Sequence, residues 1–391
     1  MGCSDHTIIT QGDLMKLQTF HVDNSHPSVT RPDFVDDPQK SLVILFGGSQ
    51  CLNAPERIHD LCQTFTGTPI IGCSTAGEVF GNEIKDDSIV GGVLQFEWTT
   101  VHTVTTSIAD PSESFHVGQQ VAKGLLRPDL SGILVLSDGL KVNGSELVRG
   151  INSHLPESVV VTGGLAGDGD RFEHTWVIQD GTPREGVISA VGFYGDHIRL
   201  GHGSKGGWDF FGPERRVTKS VGNILYELDG KPALELYKQY LGDRANGLPA
   251  TALLFPLAIK STGPGEDYLV RTILGVDETH QSMTFAGDIP QDSMTQLMRA
   301  NFDRLIDGAS QAALLANIHD AGNSLAIAIT CVGRRLILGE RAEEEIEATL
   351  EVFPPGMQQI GFYSYGELSP YANGPCNLHN QTMTITTISE Q

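Results

Sequence analysis

The sequence predicts a mixed α/β fold in two domains, and three observations carry that reading. A unit of apolar strand, helix, second apolar strand and glycine-rich turn closing on an acid occurs three times, which is the pattern of a βαβ element. Further segments, Ile89 to Val104, Glu173 to Gln179, Gly186 to Gly192 and Thr382 to Ile388, alternate in the manner of antiparallel sheet. At 391 residues the chain exceeds the ~250 to 300 residues at which single cores stop growing.

Residues 1–39 are polar and carry Pro27, Pro32 and Pro38, which reads as a lead-in segment. The first unit runs from strand Leu42 to Phe46, through helix Pro55 to Phe65, to strand Pro69 to Ile71 and the turn Gly72 to Glu78. The second comprises Gly132 to Leu136, helix Ser145 to Leu155, Val159 to Thr162 and the turn Gly163 to Asp168. The third comprises Leu325 to Cys331, helix Ala342 to Phe353, Gln359 to Ile360 and the turn Gly361 to Glu367. Between the second and third, Asp229-Gly230-Lys231-Pro232 marks a turn before a helix Ala233 to Leu241. The boundary is placed just ahead of it, giving domains 40–224 and 225–391. A helix from Phe302 to Ile318 carries Phe302, Leu305, Ile306, Ala309 and Ala313 on one stripe, which is a packing face.

Composition narrows the function. Hydrophobic residues make up 39% and charged residues 19%, the balance of a folded globular chain. Acidic residues outnumber basic ones by 48 to 26, and a formal charge of -22 repels phosphate backbones and anionic lipid. Nucleic acid and membrane surfaces are therefore excluded as expected partners. The longest apolar runs fall far short of the ~20 residues of a membrane helix, and the first residues lack a signal-peptide pattern, so a cytoplasmic location is expected. Six cysteines without Cys-x-x-Cys spacing argue against a disulfide framework or structural zinc. The absence of a Walker loop and of a dinucleotide fingerprint leaves no expected nucleotide cofactor.

The turns supply the candidate site. Successive amides and hydroxyls around Cys73, Ser74 and Thr75, with Glu78, suit a carboxylate or phosphate, and Gly163, Gly164 and Asp168 repeat the arrangement. Each turn also reads as ordinary chain reversal, its acid capping local amides. Gly72 to Ala76 resembles a degenerate nucleophile elbow, so a Ser74-dependent hydrolase is the enzymatic alternative, although no histidine lies in a recognisable partner motif. Arg334 and Arg335 follow the third unit's first strand, which places at least one guanidinium at its carboxyl end, suited to a ligand carboxylate or to a surface ion pair with the acidic helix around Glu343 to Glu345. Tyr363 and Tyr365, two apart on an extended run, are expected to face one side and wall a pocket near Glu367. His379 and Asn380, at the start of the last strand, read as ligand contacts, with His379 also an axial heme candidate alongside His174, His197 and His202.

These segments resemble the FIST N-terminal and C-terminal domains over nearly all of the chain beyond residue 40. The resemblance rests on the ordered set Ile71 to Glu78, Leu136-Ser137-Asp138-Gly139, Gly163 to Asp168, Val217-Thr218-Lys219, Leu228-Asp229-Gly230, Phe255-Pro256-Leu257, Val270-Arg271, Cys331 to Arg334, Ile360 to Glu367 and Leu378 to Thr382. It implies a non-enzymatic sensory pair for bacterial signalling, with an amino acid or related small molecule as ligand. It also implies an alternative, a heme-binding nitric oxide sensor regulating a histidine kinase. The chain carries no fused output domain, so the expected partner is a separate signalling protein.

Overall fold

Leu325–Cys331 reads Leu-Ala-Ile-Ala-Ile-Thr-Cys without alternation, and every residue of it is buried. Such runs are the mark of strands covered on both faces, and Ser41–Gly48 and Leu130–Ser137 behave in the same way. In the computed structural model, which describes residues 6–7, 14–260, 268–316, 323–370 and 374–391, each of these three strands is the centre of its own sheet. The fold is mixed α/β, as the sequence predicts.

The three sheets share one strand order. Ser41–Gly48 pairs parallel with Ile70–Thr75 and antiparallel with Ile89–Phe96, which in turn pairs with Met15–Val22 (unit I). Leu130–Ser137 pairs likewise with Val160–Leu165 and Val187–Tyr194, and the latter with Thr100–Ser107 (unit II). Leu325–Cys331 pairs with Gln358–Ser364 and Met383–Glu390, and the latter with Ile198–Lys205 (unit III).

Each unit then lends a hairpin to a neighbour. The hairpin of unit I, beginning at Glu78–Phe80, joins Gln358–Ser364 of unit III. That of unit III, beginning at Gly366–Pro370, joins Val160–Leu165 of unit II. That of unit II, beginning at Val177–Gln179, joins Ile70–Thr75 of unit I. The exchange is cyclic. Inner faces of all three sheets meet in one apolar core, where Ile44 and Phe46 pack with Leu134, Leu136, Ile327, Ile329 and Phe362. The rings of Phe46 and Phe362 lie 4.7 Å apart between units I and III.

Helices cover the outer faces: Glu56–Thr64 on unit I, Ser114–Leu125 and Gly144–Asn152 on unit II, and Phe302–Ala316 and Ala342–Leu350 on unit III. Asn143 caps Gly144–Asn152 by accepting from the Glu146 amide, which anchors that helix start at the strand's carboxyl end. Residues 209–260 and 268–299 lie between the first and later strands of unit III and build a separate sheet with the helix Ala233–Leu241. Val217, Leu225, Leu234, Tyr237, Phe255 and Phe285 form a core of its own there. The division at 224/225 falls at the start of Ile224–Leu228, inside this sheet, and the ladders above join segments from both sides of it.

The glycine-rich stretches differ from the expected loops. Gly72 to Thr75, Gly163 to Leu165 and Gly361 to Ser364 continue the second strand of each unit, and the chain turns only afterwards. The reason lies next door. A Cβ on Gly163 or Gly361 would collide with the carbonyl of Val135 or Ala328 on the paired strand. These glycines therefore permit close backbone approach within a sheet rather than a reversal.

Candidate functional site

Beyond the ends of these strands the three turns meet. The Ala76 amide donates to the Tyr363 carbonyl at 2.8 Å, the Tyr365 amide to the Leu165 carbonyl at 3.1 Å, and the Gly167 amide to the Ser74 carbonyl at 3.1 Å. Each unit thus donates to the next, and the ring closes. Strand termini aligned by the cyclic exchange leave these donors and acceptors in register, so the ring pairs backbone groups that burial would otherwise orphan.

Units I and III treat their acids alike. Glu78 accepts from the Thr75 hydroxyl at one oxygen, and from the Ser88 amide and hydroxyl at 3.0 and 2.7 Å at the other. Glu367 accepts from the Ser364 hydroxyl at 2.8 Å, and from the Thr382 amide and hydroxyl at 3.2 and 2.8 Å. Burial pushes Glu78 up to about 7 and Glu367 up to about 8, against the lowering effect of these hydrogen bonds. The residues preceding Ser88 and Thr382, Asp87 and Gln381, both take positive φ, 56° and 62°.

Asp168 of unit II plays another role. Its carboxylate accepts from the amides of Phe172, Glu173 and His174, each at 2.9 Å, and from the Tyr365 hydroxyl. Burial raises its pKa, and the His174 amide, the Tyr365 hydroxyl and the other two amides more than offset that, holding it below the ordinary value.

A cleft of about 500 Å³ opens at the seam of units I and III. Thr75, Ala76, Gly77 and Glu78 form its floor, Gly48 to Gln50 and Gly169 to Arg171 one wall, and Val332, Arg335, Leu336 and Gly339 the other, with Asp86 and Asp87 at the rim. The Arg335 guanidinium spans the seam: it donates to the Ala76 carbonyl at 2.6 Å and forks onto Asp86 at 2.8 and 2.6 Å. The cleft thus combines two cations, Arg171 and Arg335, with the carboxylates Asp86, Asp87 and Asp170. Nearby, Arg171 donates to the Ser49 hydroxyl at 3.0 Å.

The residues singled out in the sequence fall in different places. Thr75 and Glu78 line the cleft, whereas Cys73 and Ser74 are fully enclosed in their strand. The Ser74 Oγ accepts from the Trp176 amide at 3.0 Å, which turns it into the sheet rather than toward the cleft. Gly163 and Gly164 are strand residues.

Arg334 makes the second of its two expected contacts, the ion pair with the helix at Glu345, but buried rather than at the surface; it also donates to the Gly206 and Leu305 carbonyls at 2.5 and 2.7 Å, so its guanidinium is committed inside the protein and not to a ligand. The chain turns helical at Val332–Leu338, and successive helical residues point about 100° apart, so Arg335 faces the cleft in its place. That helix start, immediately after the strand, was the signal that separates the two arginines.

The tyrosines do not share one side as expected, although Tyr365 does line a pocket. Tyr363 runs outward to the Glu345 carboxylate at 2.9 Å and Tyr365 to Asp168, because the strand ends between them. His379 is buried with its Nε2 on the Ser369 carbonyl at 3.0 Å, and burial pulls its pKa down to about 4. Ligating a heme iron through that atom would require breaking this bond. Asn380 is also buried, and among the described residues its amide nitrogen and oxygen find no hydrogen-bond partner. Ser88, Thr382, Asp86, Asp87 and Arg171 are site residues not singled out in the sequence; Ser88 and Thr382 each immediately precede the return strand, Ile89–Phe96 and Met383–Glu390, an equivalence that internal alignment of units I and III shows. Among the described residues no cluster of three or more His, Cys, Asp or Glu side chains is arranged for a metal, and no helix is long and apolar enough to cross a membrane.

Comparison with known proteins agrees with the arrangement of motifs. The FIST N domain matches residues 41–231 and the FIST C domain residues 233–370. An uncharacterized protein of Methanocaldococcus jannaschii, MJ1623, is 24% identical over 329 residues, which cover 76% of this chain and 60% of that protein. The chain thus spans less than two thirds of that relative. Among solved structures, a cyanuric acid hydrolase from A. caulinodans aligns at 11% identity over 75% of this chain and 99% of its own, with a TM-score of 0.18. PurLQS from Thermotoga maritima aligns at 9% identity over 99% of this chain and 74% of its own, with a TM-score of 0.20. Likeness at that level bears on neither fold nor activity. The two domain matches span most of the chain, and on them the protein belongs to the FIST family, whose domains are sensory modules of signal transduction.

Proposed function

We propose that this protein senses an amino acid or a closely related zwitterion in the cleft between units I and III and passes the signal to a separate partner such as a histidine kinase. The observation that carries the reading is the charge arrangement of that cleft. Arg335 and Arg171 offer planar donors for a carboxylate, and Asp86, Asp87 and Asp170 offer acceptors for an ammonium group. A volume of about 500 Å³ lies in the range of small-molecule sites.

The seam location gives binding a means of being read. Arg335 belongs to unit III and its partners Ala76 and Asp86 to unit I, so a ligand carboxylate competing for the guanidinium alters the contact between two units. A ligand shifts such an equilibrium only by its differential affinity for the two arrangements.

The test is a thermal-shift screen of the standard amino acids followed by calorimetry. A true ligand at a hundredfold excess over Kd stabilises the protein by about 2.7 kcal/mol. Arg335→Ala and Asp87→Asn should each weaken binding at least tenfold. Turnover of esters or amides that disappears in Ser74→Ala, without any stabilising amino acid, would replace this reading with a hydrolase.

A further inference from the structure

Units II and III meet at a seam equivalent to the one just described, and its chemistry is inverted. The equivalence follows from the backbone: the Gly48 amide donates to the Ser88 carbonyl, the Asp138 amide to Val187, and the Cys331 amide to Thr382, with positive φ at the preceding Asp87, Gly186 and Gln381. Counting onward from Asp138 and Cys331, Gly139 corresponds to Val332, Val142 to Arg335 and Asn143 to Leu336, while in the hydrogen-bond ring Tyr365 corresponds to Ala76. Where one seam carries a guanidinium over a small alanine floor, the other carries valine and tyrosine.

This second seam holds a pocket of about 330 Å³. Leu140, Val142 and Leu165 form its base, and Tyr365 and Phe172 stack at 4.5 Å and 12° along one wall. The opposite wall comes from the inserted sheet, through Leu274 and the segment Phe285 to Gly287. Phe172 and Leu274 remain 44% and 45% exposed. Phe172 also holds φ 55°, a conformation rare for a bulky side chain, and the three amide bonds to Asp168 keep it there. The fold thus uses a buried carboxylate to hold an aromatic ring half in solvent at the mouth of an apolar pocket.

We propose that this pocket is a second ligand site, taking a planar, uncharged aromatic ring that lies against the Phe172 and Tyr365 pair and bridges unit II to the inserted sheet. The apolar base disfavours a charged ligand, since among the described residues lining the pocket none is a Lys or Arg. Asn223 at the rim spends its Nδ2 on the Phe285 carbonyl at 2.7 Å and keeps its Oδ1 as an acceptor for a ring N–H. The inference does not depend on what occupies the charged cleft.

Saturation-transfer NMR and thermal shift of the full chain with indole and with benzamide test it. Saturable binding is expected for at least one probe with Kd near or below ~1 mM, in the range weak fragments reach. Phe172→Gly removes the ring while suiting the positive φ, and Leu274→Ser alters the opposite wall at an exposed position, so both variants should fold. Each should weaken binding at least tenfold. Absence of saturable binding by both probes, or affinity unchanged in both variants, would overturn the site. Loss in Phe172→Gly alone would overturn the bridging role of the inserted sheet.

Discussion

Arg334 and Glu345 pair at 2.7 Å with neither side chain reaching solvent. The Tyr363 and Thr330 hydroxyls donate to the other carboxylate oxygen at 2.9 and 3.2 Å, so one buried charge pair ties together the helices and the central strands of unit III. Removing one partner leaves the other charged and enclosed. Glu345→Ala should cost about 3 to 5 kcal/mol, and the double replacement Arg334→Met with Glu345→Leu should recover much of that loss. Urea unfolding of the three variants checks this, and equal losses for single and double variants would contradict it.

Glu78 and Glu367 set a pH dependence. Their folded values, about 7 and about 8, lie above the ordinary 4.5 because burial penalises the charge. The folded state therefore binds more protons than the unfolded one between pH 4.5 and 8, and these groups make stability fall as pH rises through that window. Glu367→Gln keeps an acceptor for Thr382 and removes the charge. Its unfolding free energy should exceed that of the parent at pH 8 and approach it at pH 4.5, as measured by denaturant titration at several pH values.

Asp168 should control the loop that presents Phe172. Asp168→Ala deletes three amide bonds of about 1 kcal/mol each. Hydrogen exchange at residues 172 to 174 should accelerate by roughly ten- to a hundredfold, while exchange in the central strands stays as it was. Uniform acceleration throughout the protein would instead mean that the carboxylate serves global stability.

Close approach in the second strands predicts a sharp contrast between glycines. Gly163→Ala and Gly361→Ala place a methyl against the carbonyls of Val135 and Ala328, and should cost about 2 to 4 kcal/mol or abolish folding. At Gly275 nothing lies within 4 Å of an added Cβ, and Gly275→Ala should change the melting temperature by no more than a degree or two. Comparable melting temperatures for all three variants would refute the packing role.

Much of the fold was legible because its signals are local. The run Leu325–Cys331 and the helix Ala233–Leu241 are found where apolar patterning places them. The third strand segment, expected to stop at Ile360, continues to Ser364 because neighbouring carbonyls, not the residues themselves, explain the glycine at 361. Of the three turns and acids singled out, the one from Thr75 to Glu78 lines the cleft, whereas Asp86 and Asp87 went unmarked because nothing local distinguishes them. The placing of a guanidinium at the strand's end was legible for the pair Arg334 and Arg335, but choosing Arg335 requires knowing the phase of the helix that begins at Val332, and Arg171 carried no local signal.

The sequence by itself determined that three strand-helix-strand units exist, that each closes on an acid, and that the chain carries the ordered motifs of its family, because periodicity and spacing are properties of short segments. Only the tertiary structure decided that each unit lends its hairpin to the next, that the turns close a backbone ring, and that two equivalent seams differ in charge. Those outcomes depend on pairings between strands far apart in the chain, where the backbone hydrogen-bonding groups are the same for every residue but proline and carry no trace in the local pattern.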